Sequence, residues 1–345
     1  MKKVAFFLLI ILIFCLSSCG EDKSSKTSED SSSDVVLKQD KESSVEDASS
    51  TIEEKSEEIS EDPSTLPSYF LLSKIETKVS SGTNKTEMKY NEDGLIIENV
   101  SYAKGKLSTK YTYEYNDNGI LIVEAHYAYD NSGNVFYYTK NTYSHDEDGV
   151  LKSCELDENG DLYTISYEYD SKGRLSSSQK SNKDGEIILR TEYNYLENNE
   201  GYTKINYTPD GLQKEVYDKN ENMIEYSFEN SSGVVTSNTI LEYDDYNNII
   251  KSTNNKGVIT EFKNTYENNL LISIKTFVDG EETEMTEYKY DKYGNCIKEK
   301  VSSATGTVKR EITNTWTPVY SEGGALWSLL KKHAYCKIKL RRKVL

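Results

Sequence analysis

Histidine is nearly absent from this 345-residue chain: His126, His145 and His333 are the only three, and they sit in unrelated local contexts. Acid–base catalysis and zinc sites draw heavily on imidazole, so neither His-based catalysis nor a His-rich metal site is expected. Each His reads as an exposed strand or turn residue. Cysteine is sparse too. Beyond the first nineteen residues there are only Cys154, Cys296 and Cys336, an odd set that offers no disulfide framework and matches no zinc spacing. Cys154 and Cys296 read as small buried residues. No aromatic residue occurs from Gly20 to Ser68. The apolar run from Val4 to Leu16 falls short of the ~20 residues that a spanning helix needs.

That run follows Met1-Lys2-Lys3 and leads into Leu16-Ser17-Ser18-Cys19-Gly20. A cationic start, a short apolar stretch and a small-residue exit form the layout of a secretory signal, so the chain is expected to be exported. The exit resembles the lipobox of bacterial lipoproteins, an aliphatic residue and two small ones before a cysteine. The resemblance implies that Cys19 becomes the mature N-terminus, carries the lipid and holds the chain on the outer side of a cell membrane; two or more acyl chains give stable anchoring. The competing reading is an ordinary signal peptide cut near Ser18 with Cys19 incidental. Charged, Ser-rich sequence directly after the cysteine favours the lipoprotein.

From Gly20 to Pro67 there are 15 acidic and 5 basic residues. Such a stretch buries too little apolar surface to offset its ordering entropy, so residues 19–68 are expected to form a disordered tether, spanning roughly 40 Å root-mean-square. The whole chain carries −17, and the region from Gly20 to Gly324 about −26. That sign argues against nucleic-acid binding.

The body, residues 69–320, is repetitive. A unit of tyrosine, any residue, tyrosine, Asn or Asp, two polar residues and Gly is clearest at Tyr113 to Gly119, Tyr167 to Gly173 and Tyr288 to Gly294. Weaker copies centre on Tyr90, Tyr129, Tyr143, Tyr243 and Tyr266. Secondary turns fall at Gly105, Gly160, Gly185, Gly211, Gly233, Gly257, Gly280 and Gly306, so a turn recurs about every 12 residues and a unit about every 24. Alternating Tyr, Ile, Val and Thr between Asx-Gly turns predicts short antiparallel strands, each unit a hairpin. The fold expected is all-β, an extended or curled meander of hairpins. The tyrosine, Asx and glycine pattern from Thr83 to Thr315 resembles the YD repeats of the bacterial Rhs family, whose hairpins build a sheet curling into a spiral or shell. There is room for about nine units, too few for a closed cocoon, and no self-cleaving motif precedes a separate effector domain.

Carboxylates such as Glu114, Glu168, Glu192, Glu242 and Glu287 abound, and pairs held about 5–10 Å apart hydrolyse glycosides. Their positions beside tyrosines read as the polar faces of strands. The segment Asp157 to Asp161, with Glu168, superficially fits a calcium loop; Leu162 stands where the central glycine belongs and the flanks read as strands, so a hairpin turn is the better account. The 28 tyrosines form either the core or a flat aromatic platform for ligands, with the core favoured. Residues 321–345 reverse the charge with seven basic residues after Ala325 and read either as an amphipathic membrane contact or as an extension foreign to the body.

No cofactor and no metal are expected. The function expected is that of a non-catalytic, lipid-anchored envelope protein whose repeats act as a binding or spacer module, with an envelope glycan or a surface protein as partner. The alternative is a degenerate carbohydrate-active or Rhs-derived enzyme using Asp/Glu pairs, distinguished by carboxylates that cluster rather than spread.

Overall fold

The structure, a computed structural model, describes residues 67–319. Cys19, the signal peptide, the tether up to residue 66, His333, Cys336 and the basic tail lie outside the described residues.

Twenty antiparallel strands follow one another with no α-helix among the described residues. The odd strands are β1 (Tyr69–Val79), β3 (Ile96–Ala103), β5 (Leu121–Tyr129), β7 (Leu151–Glu158), β9 (Leu175–Asn182), β11 (Gly201–Thr208), β13 (Met223–Asn230), β15 (Ile249–Asn254), β17 (Leu270–Val278) and β19 (Cys296–Ser303). The even strands, which return, are β2 (Gly82–Tyr90), β4 (Lys106–Tyr115), β6 (Val135–His145), β8 (Asp161–Tyr169), β10 (Ile187–Tyr195), β12 (Gly211–Asp218), β14 (Val235–Tyr243), β16 (Ile259–Glu267), β18 (Glu281–Tyr290) and β20 (Val308–Val319).

Each strand pairs with its neighbours in sequence, and β20 pairs back onto β1 from Tyr69 opposite Val319 to Val79 opposite Arg310. The sheet therefore closes into an up-and-down barrel, a construction that removes every free edge. Ten hairpins make the ring, where the repeat count gives about nine, and the curled meander closes laterally on itself. The miscount has a local cause. Four turns carry no glycine where the repeat puts one: Leu196–Glu200, whose Asn198 and Asn199 supply the positive φ, Asp218–Asn222, where Glu221 does so at φ 63°, Asp244–Asn248 with Asn247, and Asn268-Asn269; the first two are the ones the repeat count passes over.

Two turn chemistries build the ring. In the longer turns an Asx side chain closes on its own backbone: Asn91 Oδ1 accepts from the N–H of Asp93 (3.1 Å) and Leu95 (2.8 Å), and the Gly94 N–H bonds the Asn91 carbonyl at 3.0 Å. Asn116, Asp146, Asp170 and Asp291 repeat this arrangement. Four of the six shorter turns place two residues at positive φ, as in Asn159-Gly160 (53° and 94°), the geometry that suits a hairpin's twist; Ser80-Ser81 and Pro209-Asp210 instead lead into Gly82 and Gly211 at φ 139° and 147°. The calcium-like segment is this turn, with Asp157 Oδ1 accepting from the Gly160 N–H at 2.8 Å. Glu168 lies near the other end of β8 and does not converge on it.

Alternation gives the sheet two faces. One carries Tyr111, Tyr113 and Tyr115 and runs through register partners around the ring: Tyr111 opposite Asn99 and His126, Tyr143 opposite Cys154, Tyr202 opposite Tyr217, Thr286 opposite Val301. Most buried residues lie on it, including Met88, Tyr111, Tyr113, Cys154, Leu241, Ile274 and Val301. Side chains converge inside a closed ring and diverge outside it, so the tyrosine face is the inner one. The outer face carries exposed ion pairs such as Lys298–Glu311 (2.8 Å) and Lys300–Glu287 (3.1 Å), each worth about 0–1 kcal/mol.

Candidate functional site

The inner face between β4 and β8 gathers a cluster of titratable groups. Tyr113 faces Glu124 across the β4–β5 ladder, and the Tyr143 hydroxyl donates to Glu124 Oε2 at 2.9 Å from the other side. Cys154 stands opposite Tyr143, and its thiol lies 3.5 Å from Asn141 Oδ1. One position along, the His126 ring stacks on Tyr111 with centroids 4.3 Å apart and planes 11° apart, and Tyr137 meets it edge-on.

Burial sets the electrostatics here. It raises the Glu124 carboxyl above its ordinary value, opposed by the hydrogen bond from Tyr143. Tyr113 and Tyr143 are pushed up by burial and by the adjacent Glu124 charge. The Cys154 thiol rises to about 12, again through burial, and His126 is lowered because its charged form is desolvated. At neutral pH the thiol, the phenols and the imidazole are uncharged, and a protonated thiol is a poor nucleophile. The patch offers hydrogen bonds and ring faces rather than an activated nucleophile.

A second structural set runs along one rim of the ring. The last tyrosine of an even strand donates its hydroxyl to the backbone carbonyl at the start of the preceding strand: Tyr90 to Leu72 (2.7 Å), Tyr115 to Ile96 (2.8 Å), Tyr169 to Leu151 (2.7 Å), Tyr195 to Leu175 (3.0 Å), Tyr243 to Met223 (2.7 Å) and Tyr290 to Leu271 (2.8 Å). Trp316 closes the series by donating its indole N–H to the Cys296 carbonyl at 2.9 Å. Three hairpins depart from it. His145 replaces the tyrosine on β6, Tyr217 turns to Glu215 on its own strand, and Tyr266 turns to the Asp244 side chain.

The carboxylates named from sequence spread over the outer face. Glu114, Glu168, Glu192, Glu242 and Glu287 stand on β4, β8, β10, β14 and β18. Glu168 accepts from Ser177 at 2.7 Å, Glu192 from Tyr207 at 3.1 Å, and Glu242 pairs with Lys251 at 3.1 Å. Among the described residues no three His, Cys, Asp or Glu side chains are grouped to hold a metal. Two sequence expectations need correction: His126 and His145 are half-buried rather than exposed, because His126 points inward onto Tyr111 and His145 takes a rim tyrosine's place. Cys154 is buried as expected, whereas Cys296 is only half-covered. Glu124 and His126 drew no attention as a pair in the sequence; their signal was an Ile122-Val-Glu-Ala-His126 alternation that puts both on the tyrosine side.

No protein-family model matches the sequence, and no curated protein is similar to it in sequence. Among solved structures, the complex TcdB2-TccC3-Cdc42 is similar at 14% identity and a TM-score of 0.33, over 70% of this chain, which spans about 15% of that chain's length. A porin-like protein from Bacteroides uniformis is similar at 15% identity and a TM-score of 0.34, over 71% of this chain and 98% of that one. A porin-like protein from Bacteroides vulgatus is similar at 10% identity and a TM-score of 0.24, over 72% and 99%. Likeness at this level carries no functional argument.

Proposed function

We propose that the chain is a non-catalytic, lipid-anchored protein of the cell envelope, held extracytoplasmically by Cys19, whose β-ring serves as a binding or spacer module for an envelope glycan or a surface protein. The observation that supports a module of this kind is closure. A ring whose last strand pairs with its first satisfies its own backbone and presents a rigid surface, with no edge strand to recruit other chains. Both ends of the described body, Ser68 and Val319, lie side by side at one rim, bonded at 2.8 Å.

The test has two arms. Membrane fractionation of the Cys19→Ala variant checks the anchor: release into the soluble extracytoplasmic fraction is expected, and retention equal to wild type removes the lipid from the proposal. A glycan and peptidoglycan-fragment panel probed with the soluble chain from Gly20 onward, with calcium and with EDTA, checks the module. A reproducible ligand makes binding the function, and silence across the panel leaves the spacer.

A further inference from the structure

The twenty ladders of the closed ring are unequal. Between β15 and β16 only three residue pairs stand in register: Lys251 with Glu261, Ser252 with Thr260 and Thr253 with Ile259. The β1–β20 ladder has ten, and each of the others has five to eight. β15 is also the shortest strand, at six residues. Past Glu261, residues 262–267 of β16 have no register partner on β15, whereas β4 leaves only residues 113–115 beyond its last partner on β3.

The same ladder has lost its clasp. Of the three hairpins without one, β5–β6 keeps seven register pairs and β11–β12 keeps eight. At β15–β16 the shortest ladder and the missing clasp coincide. Side chains hold its rim end instead. Asn264 Nδ2 donates to the Ile249 carbonyl at 3.2 Å and to Asp244 Oδ2 at 2.9 Å, while the Tyr266 hydroxyl donates to the same Asp244 oxygen and accepts from Asn248 Nδ2 at 2.7 Å. Asn264 Oδ1 is buried and makes no hydrogen bond, so this set is itself incompletely satisfied. At the other end the strands stay joined by a turn closed on its own backbone, with the Gly257 N–H donating to the Asn254 carbonyl at 3.0 Å. The hairpins on either side keep their clasps, Tyr243 to Met223 and Tyr290 to Leu271.

We propose that the β15–β16 ladder is a lateral gate. The two strands separate there by local opening, hinged at the turn of residues 254–258 and latched at the rim by Asp244, Asn264 and Tyr266. Local opening costs the bonds and contacts that it breaks, so the ladder with the fewest opens first. Ser252 and Thr260, the inward-facing pair, bury little apolar surface between them, where Tyr202 and Tyr217 of β11–β12 stack with ring centroids 4.6 Å apart. The ring thus gives way far from β1–β20, where it was sealed. Opening exposes the edges of β15 and β16, whose backbone groups closure otherwise hides.

Hydrogen–deuterium exchange of the chain from Gly20 onward, resolved to single strands by mass spectrometry, tests this. The amides bonded across the ladder within residues 251–253 and 259–261 are expected to exchange about tenfold or more faster than those of β13–β14 and β19–β20, which have five register pairs each. The double variant Asn264→Ala/Tyr266→Phe leaves the Asp244 turn its own backbone bonds and speeds exchange at β15–β16 further, with β1–β20 unchanged. Tyr290→Phe, on the β17–β18 clasp, leaves the gate's exchange as it was. Tyr266→Phe alone makes the comparison if the double variant fails to fold. Exchange at β15–β16 no faster than at the five-pair ladders overturns the proposal. So does faster exchange at β5–β6 or β11–β12, or a latch variant that speeds exchange equally around the whole ring.

Discussion

The Tyr115 hydroxyl donates to the Ile96 carbonyl oxygen at 2.8 Å, tying the last residue of β4 to the first residue of β3. Five other tyrosines and Trp316 make the equivalent bond around the rim, so the repeat's second tyrosine is a clasp on its own hairpin.

Removing one clasp removes one hydrogen bond and little else. Tyr115→Phe is expected to cost about 0.5–1.5 kcal/mol in urea denaturation. The converse substitution, His145→Tyr, supplies the clasp that the third hairpin lacks and is expected to raise the denaturation midpoint. A midpoint that falls in this variant means that the β6 rim has no room for the ring.

Glu221 holds a left-handed backbone at φ 63° in the position where the other long turns use glycine or asparagine. An L side chain there costs roughly 1–2 kcal/mol that glycine does not. Glu221→Gly is expected to raise the melting temperature, and differential scanning calorimetry reads it directly.

Burial raises the Glu124 carboxyl, so the folded protein holds that proton more tightly than the unfolded chain. For a raised acid, the stability contribution is complete below the unfolded value near 4.5 and is lost as pH climbs through the folded one. Glu124→Gln keeps an acceptor for Tyr143 and is expected to stabilise at pH 7 while matching wild type near pH 4. Equal melting temperatures at both pH values would sink this reading.

The clasping tyrosines respond at the other end of the scale. Burial pushes Tyr90 and Tyr115 to about 12, so their stability contribution is present below the unfolded value of 10.0 and is lost as pH rises toward 12. Tyrosinate absorbance at 295 nm is expected to rise in two phases, exposed rings first and clasping rings together with loss of the far-ultraviolet β signal. A single phase near the ordinary value contradicts the clasps.

The fold was legible because its signals are local. Asx and glycine spacing marks the turns, and alternation of tyrosine with polar residues marks the strands, so residues such as Tyr113 to Gly119 declare a hairpin end unaided. Closure was not legible, since the pairing of Tyr69 with Val319 depends on the number and tilt of every intervening strand. Turns that obtain their positive φ from Asn199 or Glu221 escape a search keyed to glycine. The site was less legible still. Glu114 and Glu124 look alike in sequence, yet one faces solvent and the other is buried beneath Tyr143, and only the parity of each strand decides between them.

Nineteen of the ladders join strands adjacent in the chain and can form as soon as a hairpin exists. The twentieth, β1 with β20, joins residues some 240 positions apart, and its loop-closure entropy falls due only after every other hairpin is in place. This seam makes folding of the ring a matter of arrival order: until the last strand emerges, the first waits as a bare template. A chain cut short by its last strand would keep that template permanently, which makes the final dozen residues of the body its guard against polymerisation.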